Sequence, residues 1–175
     1  VFQAGLLGFW GEWNTYPYPW MPGASVKDAL ITALNASFPA LPWELRLPSL
    51  SYPSPLPLVG LHDDSFTYST LSNSTDWFFW NIVKAQNASL LWRTGPQGGE
   101  VYPPSQPKVF SQGYGNGSDE FAQNFSTCVA TTHATWMLNQ HAFTGQGYVG
   151  EDRDRMLSAV AKMGFQLHLP NVSIS

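Results

Sequence analysis

The sequence predicts an α/β protein whose strands form a mainly parallel sheet covered by helices. Strand-like and helix-like segments alternate along the 175 residues in the order β-α-β-β-α-β-α-α-β. Several strand-like segments are apolar at consecutive positions, which is typical of strands buried on both faces of a parallel sheet. The segments that follow the strands are dense in Trp, Tyr, Pro, Gly and acidic residues, and α/β folds carry their functional sites on such loops.

Five strands and four helices are predicted. The strands span residues 1–9, 43–47, 56–62, 90–94 and 165–169. The first helix is predicted to begin near Ser25, which is spaced from Asp28 as in a capping box, and its apolar stripe ends before Pro39. Further helices are predicted over residues 76–88, 119–141 and 151–163, and the last one ends at Gly164. No repeat or flexible linker divides the chain, so one domain or part of one is expected.

Composition excludes several classes of protein. Hydrophobic residues make up 43% of the chain and charged residues 11%, which is unlike a disordered tail or a coiled coil. The formal net charge is −4 and the eight Lys and Arg residues are not clustered, so no nucleic-acid or anionic-membrane partner is expected. Apolar runs are short and broken by Gly and Pro, and no membrane span is predicted.

Asparagine spacing indicates a secreted glycoprotein. Six of the nine Asn residues begin an Asn-X-Ser/Thr sequon: Asn35, Asn73, Asn87, Asn116, Asn124 and Asn171. The alternative is a Ser/Thr-rich sequence whose sequons are unused. The single cysteine, Cys128, is either a buried thiol or half of a bridge to a segment outside this chain. Strand-like residues at both ends suggest that the chain was cut from something larger.

Four of the twelve carboxylates are candidates for chemistry because each directly follows a buried-looking strand. They are Glu12, Asp63, Asp64 and Glu100. Acids in unlike, partly desolvated environments are what general acid–base catalysis needs, and structural ion pairs are the alternative. The other eight are interpreted as helix caps or solvated side chains: Asp28, Glu44, Asp76, Asp119, Glu120, Glu151, Asp152 and Asp154.

Aromatic residues crowd around Glu12. Trp10, Trp13, Tyr16, Tyr18 and Trp20 lie in an interval of eleven residues. Exposed rings would form flat platforms for the apolar faces of sugars, whereas buried rings would only pack against the fold. Arg46, at the end of the second predicted strand, could orient a carboxylate or bind a hydroxyl group, and Arg93 could equally form an ion pair, so both assignments stay open.

Other chemistries have little support. The four His residues are scattered, so no metal site is predicted. Neither a Gly-X-Ser-X-Gly elbow nor a phosphate-binding glycine loop occurs, and Cys128 has no nearby base in the sequence. No cofactor is expected.

Five motifs occur in an order that resembles a known family. They are Gly-Leu-Leu-Gly-Phe-Trp-Gly-Glu-Trp, Gly-Leu-His-Asp-Asp-Ser-Phe, Gly-Gly-Glu, His-Ala-Thr-Trp-Met-Leu-Asn and Met-Gly-Phe. Together they resemble a family of secreted, glycoside-hydrolase-like (β/α)8 barrels that is catalogued as a domain of unknown function. The resemblance implies a TIM-barrel-like fold of which this chain covers strands four to eight, with the N-terminal half of the barrel missing.

The resemblance also implies roles for two glutamates. Retaining glycosidases of the largest barrel clan carry the acid/base after strand four and the nucleophile after strand seven, which Glu12 and Glu100 match. Their carboxyl groups would then lie about 5–5.5 Å apart, whereas roughly 6.5–9.5 Å would imply inversion. Gly11 stands where that clan usually has Asn. Val101 and Tyr102 replace the Thr-Cys that the family tends to have, so Cys128 would lack that disulfide partner.

These observations lead to one function and one alternative. Residues 1–170 are expected to be the C-terminal part of a barrel that acts on carbohydrate, and residues 171–175 the start of a following segment. Glu12 would donate the proton and Glu100 would be the nucleophile. The expected substrate-binding residues are Trp10, Trp13, Arg46, His62, Asp63 and Asp64. The alternative is a non-catalytic extracellular glycoprotein that binds carbohydrate or self-assembles into filaments. Either form would be secreted and carry N-linked glycans.

Overall fold

The fold is described from a computed structural model of the chain. It describes residues 2–3, 5, 7–8, 13, 23–46, 58–71, 73, 75–117 and 120–164. The strands are β1 (Phe2–Gln3), β2 (Trp43–Leu45), β3 (Val59–Phe66) and β4 (Gln97–Val101). The α-helices are α1 (Ala24–Ser37), α2 (Phe79–Ala85), α3 (Phe125–Thr132) and α4 (Gly150–Val160).

The four strands form one open parallel sheet in the order β1-β2-β3-β4. Trp43 pairs with Val59 across β2 and β3, and Leu61 pairs with Gln97 across β3 and β4. Beyond β4 the described chain adds only an isolated parallel bridge between Glu100 and Leu138.

The prediction of a (β/α)8 barrel covering strands four to eight is therefore wrong. A barrel needs each edge strand to pair with another until the sheet closes, with the strand number and stagger matched. In the part of the chain that the structure describes, β1 and β4 are the outermost strands of the sheet and do not pair with each other.

Residues 90–94, which were predicted to form a strand, do not form one. Leu91–Arg93 forms a single turn of 3₁₀-helix, and the preceding Leu90 is 57% exposed. The strand lies slightly later, at Gln97–Val101. Its two glycines lower the strand propensity of this segment, so the sequence did not predict it. The predicted strand at residues 165–169 lies outside the described residues.

The helices begin and end where local chemistry allows. The predicted third helix is shorter than expected because it starts at Asn124, whose side chain accepts a hydrogen bond from the Thr127 amide, and stops at His133 in the left-handed conformation (φ 57°). Two further 3₁₀ turns lie outside this helix, at Pro103–Ser105 and Gln140–Phe143.

Two apolar clusters hold the fold together. The first packs α1 and α2 on one face of the sheet and contains Trp13, Ile31, Trp43, Leu45, Val59, Leu61, Phe79, Val83 and Ala88. The second joins the end of the sheet to α3 and α4 and contains Phe66, Val101, Val109, Phe110, Phe125, Cys128, Val129, Ala134, Tyr148 and Ala159. Each fully buried large apolar side chain contributes about 1.5–3 kcal/mol.

Candidate functional site

Charged side chains gather on the sheet face opposite the first cluster. Side chains alternate between the two faces of a strand, so Glu44 and Arg46 share a face, as do His62 and Asp64. The register pairs Glu44 with Gly60 and His62 with Gly98, which puts these side chains on the same side. Glu100, two residues after Gly98, joins them. We call Glu44, Arg46, His62, Asp64 and Glu100 the charged face.

An ion pair joins two strands on this face. The guanidinium of Arg46 contacts the carboxylate of Asp64, and both side chains are largely buried, at 13% and 18% exposure. This pair gives the face a fixed dipole.

Glu100 lies beside this pair and is half-buried. Desolvation raises the pKa of its carboxyl group, and the neighbouring negative charge of Asp64 raises it further. Protonation of Glu100 therefore begins at a higher pH than in an exposed glutamate.

Glu44 is fully buried, which contradicts its interpretation as a solvated side chain. Its Oε1 accepts a hydrogen bond of 2.7 Å from the indole Nε1 of Trp136. Desolvation raises the pKa of Glu44 to about 7, and the bond from Trp136 only partly opposes that rise. This carboxyl group therefore keeps its proton to a much higher pH than an exposed glutamate does.

His62 is buried and held in its neutral form. Desolvation lowers its pKa to about 4; Asp64 raises the pKa and Arg46 lowers it. The Nδ1 atom of His62 and the Oε2 atom of Glu44 are both buried without a hydrogen-bond partner among the described residues.

Asp63 lies between charged-face residues in sequence, but its side chain points the other way. Its Oδ2 accepts a 2.6 Å hydrogen bond from the Thr70 hydroxyl and its Oδ1 accepts one from the Ser65 amide. Desolvation raises its pKa to about 6, while the bonds from Thr70 and Ser65 lower it. These contacts give Asp63 a role in holding the loop that follows β3.

The other predicted site residues are not part of the charged face as described. Glu12 and Trp10 lie outside the described residues, so the predicted separation of Glu12 and Glu100 stays a prediction. Trp13 is 8% exposed, packs in the first apolar cluster and donates from Nε1 to the Gly5 carbonyl at 3.1 Å. It therefore offers no exposed ring for stacking.

Sequence reasoning missed Glu44 and Trp136. The signal for Glu44 was available, because polar and apolar side chains alternate in Trp-Glu-Leu-Arg, residues 43–46. In a strand this spacing puts the polar side chains on one face. Trp136 lies within the His-Ala-Thr-Trp-Met-Leu-Asn motif, but no local pattern links it to Glu44, which lies 92 residues away.

Five of the six predicted glycosylation sites lie in the described chain. Asn73, Asn87, Asn116 and Asn124 are exposed, and Asn35 on α1 is half-buried. Asn171 lies outside the described residues. Cys128 is a free, buried thiol whose pKa is raised by desolvation.

No group of three or more His, Cys, Asp or Glu side chains in the described part of the chain is arranged to hold a metal ion. None of the helices described is both long and apolar enough to cross a membrane.

Comparisons with known proteins give no relatives. No protein-family model matches the sequence, and neither a curated protein nor a solved structure is significantly similar to it.

Proposed function

We propose that this protein acts on carbohydrate and cleaves glycosidic bonds with two glutamates. The observation that supports this most is the charged face, where carboxyl groups in unlike environments lie on neighbouring parallel strands. Glu44 is buried against an indole, Asp64 is paired with Arg46, and Glu100 is half-buried beside that pair. Differing environments give carboxyl groups different pKa values, and such sets are suited to acid–base and nucleophilic catalysis.

In the proposed reaction Glu100 is the nucleophile and Glu12 the proton donor. The Glu100 carboxylate forms a bond to the anomeric carbon as the bond from that carbon to the leaving oxygen breaks, and Glu12 gives its proton to that oxygen. Water then attacks the same carbon, loses a proton to Glu12 and releases Glu100. Arg46, His62 and Asp64 bind sugar hydroxyl groups.

The test is the replacement of each glutamate in the full chain. Glu100→Gln and Glu12→Gln should each reduce turnover of a glycoside by at least about 100-fold, since each removes a group that acts in the transition state. Glu151→Gln, which removes an exposed carboxylate on α4, is the matched control. Circular dichroism checks that the variants fold, and undiminished turnover by Glu100→Gln contradicts the assignment.

The acid limb of the pH profile provides a second readout. The nucleophile must be ionised, and the pKa of Glu100 is raised by desolvation and by Asp64. Activity should therefore fall, as pH decreases, at a higher pH than expected for an exposed glutamate. Replacing Asp64 with Asn should move this limb to lower pH, because the neighbouring negative charge is removed.

A second candidate function is a non-catalytic extracellular glycoprotein that binds carbohydrate or self-assembles. The exposure of Asn73, Asn87, Asn116 and Asn124 supports the glycoprotein part of this candidate, because glycans need accessible asparagines. Secretion is part of both proposals. Saturable binding of a glycan without any turnover would favour this second candidate.

A further inference from the structure

Trp136 is fixed against the charged face by the backbone on both sides of it. The Thr135 amide donates to the Gln97 carbonyl and the Leu138 amide donates to the Gly99 carbonyl, each at 2.8 Å. The segment around Trp136 therefore runs along the outer edge of β4. This pairing fixes the backbone position of Trp136.

Gly98 makes room for the indole. A Cβ atom at position 98 would lie 2.2 Å from Cε2 of Trp136, closer than any side chain allows. The ring thus lies against the bare backbone of β4 and reaches Oε1 of Glu44 two strands away. One oxygen of the Glu44 carboxyl group is held in place by this contact.

The second oxygen of Glu44 has no such contact. Oε2 of Glu44 and Nδ1 of His62 are buried and have no partner among the described residues. Buried polar atoms are nearly always hydrogen-bonded, and an exception calls for an explanation such as a bound molecule. The two atoms lie on adjacent strands and on the same face of the sheet.

The chemistry of the two atoms selects their partner. A carboxyl group that holds its proton donates a hydrogen bond, and a neutral imidazole nitrogen accepts or donates one. A hydroxyl group both donates and accepts, so its hydrogen-bonding chemistry matches both atoms. An anionic group would instead meet the carboxylates of Asp64 and Glu100 on the same face.

We infer that Glu44 Oε2 and His62 Nδ1 form a subsite for one hydroxyl group of an uncharged sugar, with Trp136 as the positioning residue for Glu44. This rests on the proposed function and adds to it, since it assigns the substrate class as neutral and gives Glu44 a binding role. A water molecule has the same hydrogen-bonding chemistry, and the experiment separates the two.

The experiment titrates the full chain with D-glucose, D-galactose and D-mannose separately, and with D-glucuronate as the charged counterpart of D-glucose. Binding is followed by the ¹⁵N shift of His62 Nδ1 in protein labelled at histidine, assigned with His62→Gln. At least one uncharged sugar should bind saturably and shift this resonance. Glu44→Ala should weaken its binding by about 10-fold, as expected for a lost buried hydrogen bond.

Conservative variants separate binding from folding. Glu44→Gln keeps an acceptor for Trp136 and a donor for the hydroxyl group, so it should retain more affinity than Glu44→Ala. Trp136→Phe removes only the indole donor and should weaken binding by a smaller factor. Glu151→Gln should bind as the unmodified protein does. Thermal unfolding of each variant shows whether it folds. If Glu44→Ala does not fold, the affinities of Glu44→Gln and Trp136→Phe test the subsite instead.

The results that would overturn the subsite differ from those that would overturn the proposed function. Binding that survives both Glu44→Ala and His62→Ala overturns the subsite, as does D-glucuronate binding more tightly than D-glucose. If no uncharged sugar shifts the His62 resonance, water alone fills the subsite and the inference is wrong. Glycoside turnover that depends on Glu100 would still support the proposed function in each of these cases.

Discussion

At Glu44 a carboxyl group is buried beside an indole, and its protonation state affects the stability of the whole fold. Its pKa rises from 4.5 to about 7 on folding. The folded state therefore binds a proton more tightly than the unfolded state does. This contribution to the free energy of unfolding is fully present below pH 4.5 and is lost as pH rises through 7.

We predict that Glu44→Gln removes this pH dependence. The amide resembles the protonated carboxyl group and still accepts from Trp136. The difference in stability between variant and unmodified protein should grow in favour of the variant from pH 4 to pH 8, by up to about 3 kcal/mol. Urea unfolding at several pH values measures it. A constant difference across this range would contradict this account, because it would mean that folding does not change the pKa of Glu44.

His62 should contribute to the pH dependence of stability in the opposite direction to Glu44. Its pKa falls from 6.5 to about 4 on folding, so the folded state favours the neutral ring. Its contribution is present above pH 6.5 and is lost as pH falls towards 4. His62→Gln should therefore gain stability relative to the unmodified protein on acidification, whereas Glu44→Gln gains it on raising the pH.

The loop after β3 illustrates how one element is held by side chains. Thr67 adopts φ 70°, a strained conformation for a β-branched residue. The Thr70 hydroxyl accepts from the Thr67 amide at 3.0 Å and donates to Asp63. Gln123 adds to this by accepting from the amides of Thr70 and Leu71. The loop is therefore a folded unit tied to the start of α3.

Thr70→Val should destabilise the protein by about 1–3 kcal/mol for each buried group that loses its partner. The shape is nearly unchanged, but the Thr67 amide and the Asp63 carboxylate lose the hydroxyl. The loss should be larger at pH 8 than at pH 5, because the pKa of Asp63 is about 6 and the ionised form needs the donor more. Urea unfolding compares it with Thr144→Val, whose hydroxyl is exposed. Equal stability of the two variants would contradict this account.

Strand β4 explains why one element could not be predicted from its own residues. Propensity favours residues 90–94, which include Leu90, Leu91 and Trp92, over the glycine-containing Gln97–Val101. The glycines are needed for close approach: a Cβ at Gly99 would lie 1.9 Å from the Asp63 carbonyl oxygen, and Gly98 admits Trp136. These contacts come from distant parts of the chain, and they decide which segment is the strand.

Across the molecule, the predicted glycosylation sites differ in accessibility. Asn73, Asn87, Asn116 and Asn124 are exposed, whereas Asn35 is half-buried in α1. We predict that protein secreted from eukaryotic cells carries glycans at these four positions and a lower occupancy at Asn35. Peptide mass spectrometry after glycosidase treatment in ¹⁸O-water measures the occupancy of each site. Four empty exposed sites would contradict secretion through a glycosylating pathway.

The sequence by itself determined the alternation of helices and strands, the first helix, most of the charged-face residues and the sequons. These features depend on periodicity and short motifs, which involve only residues close together in the sequence. Only the tertiary structure decided that the sheet is open, that Asp63 supports a loop while its neighbours face the other side, and that Glu44 is buried. Each of these depends on strand pairing and on desolvation by residues far away in sequence, such as Trp136, and no local pattern encodes those contacts.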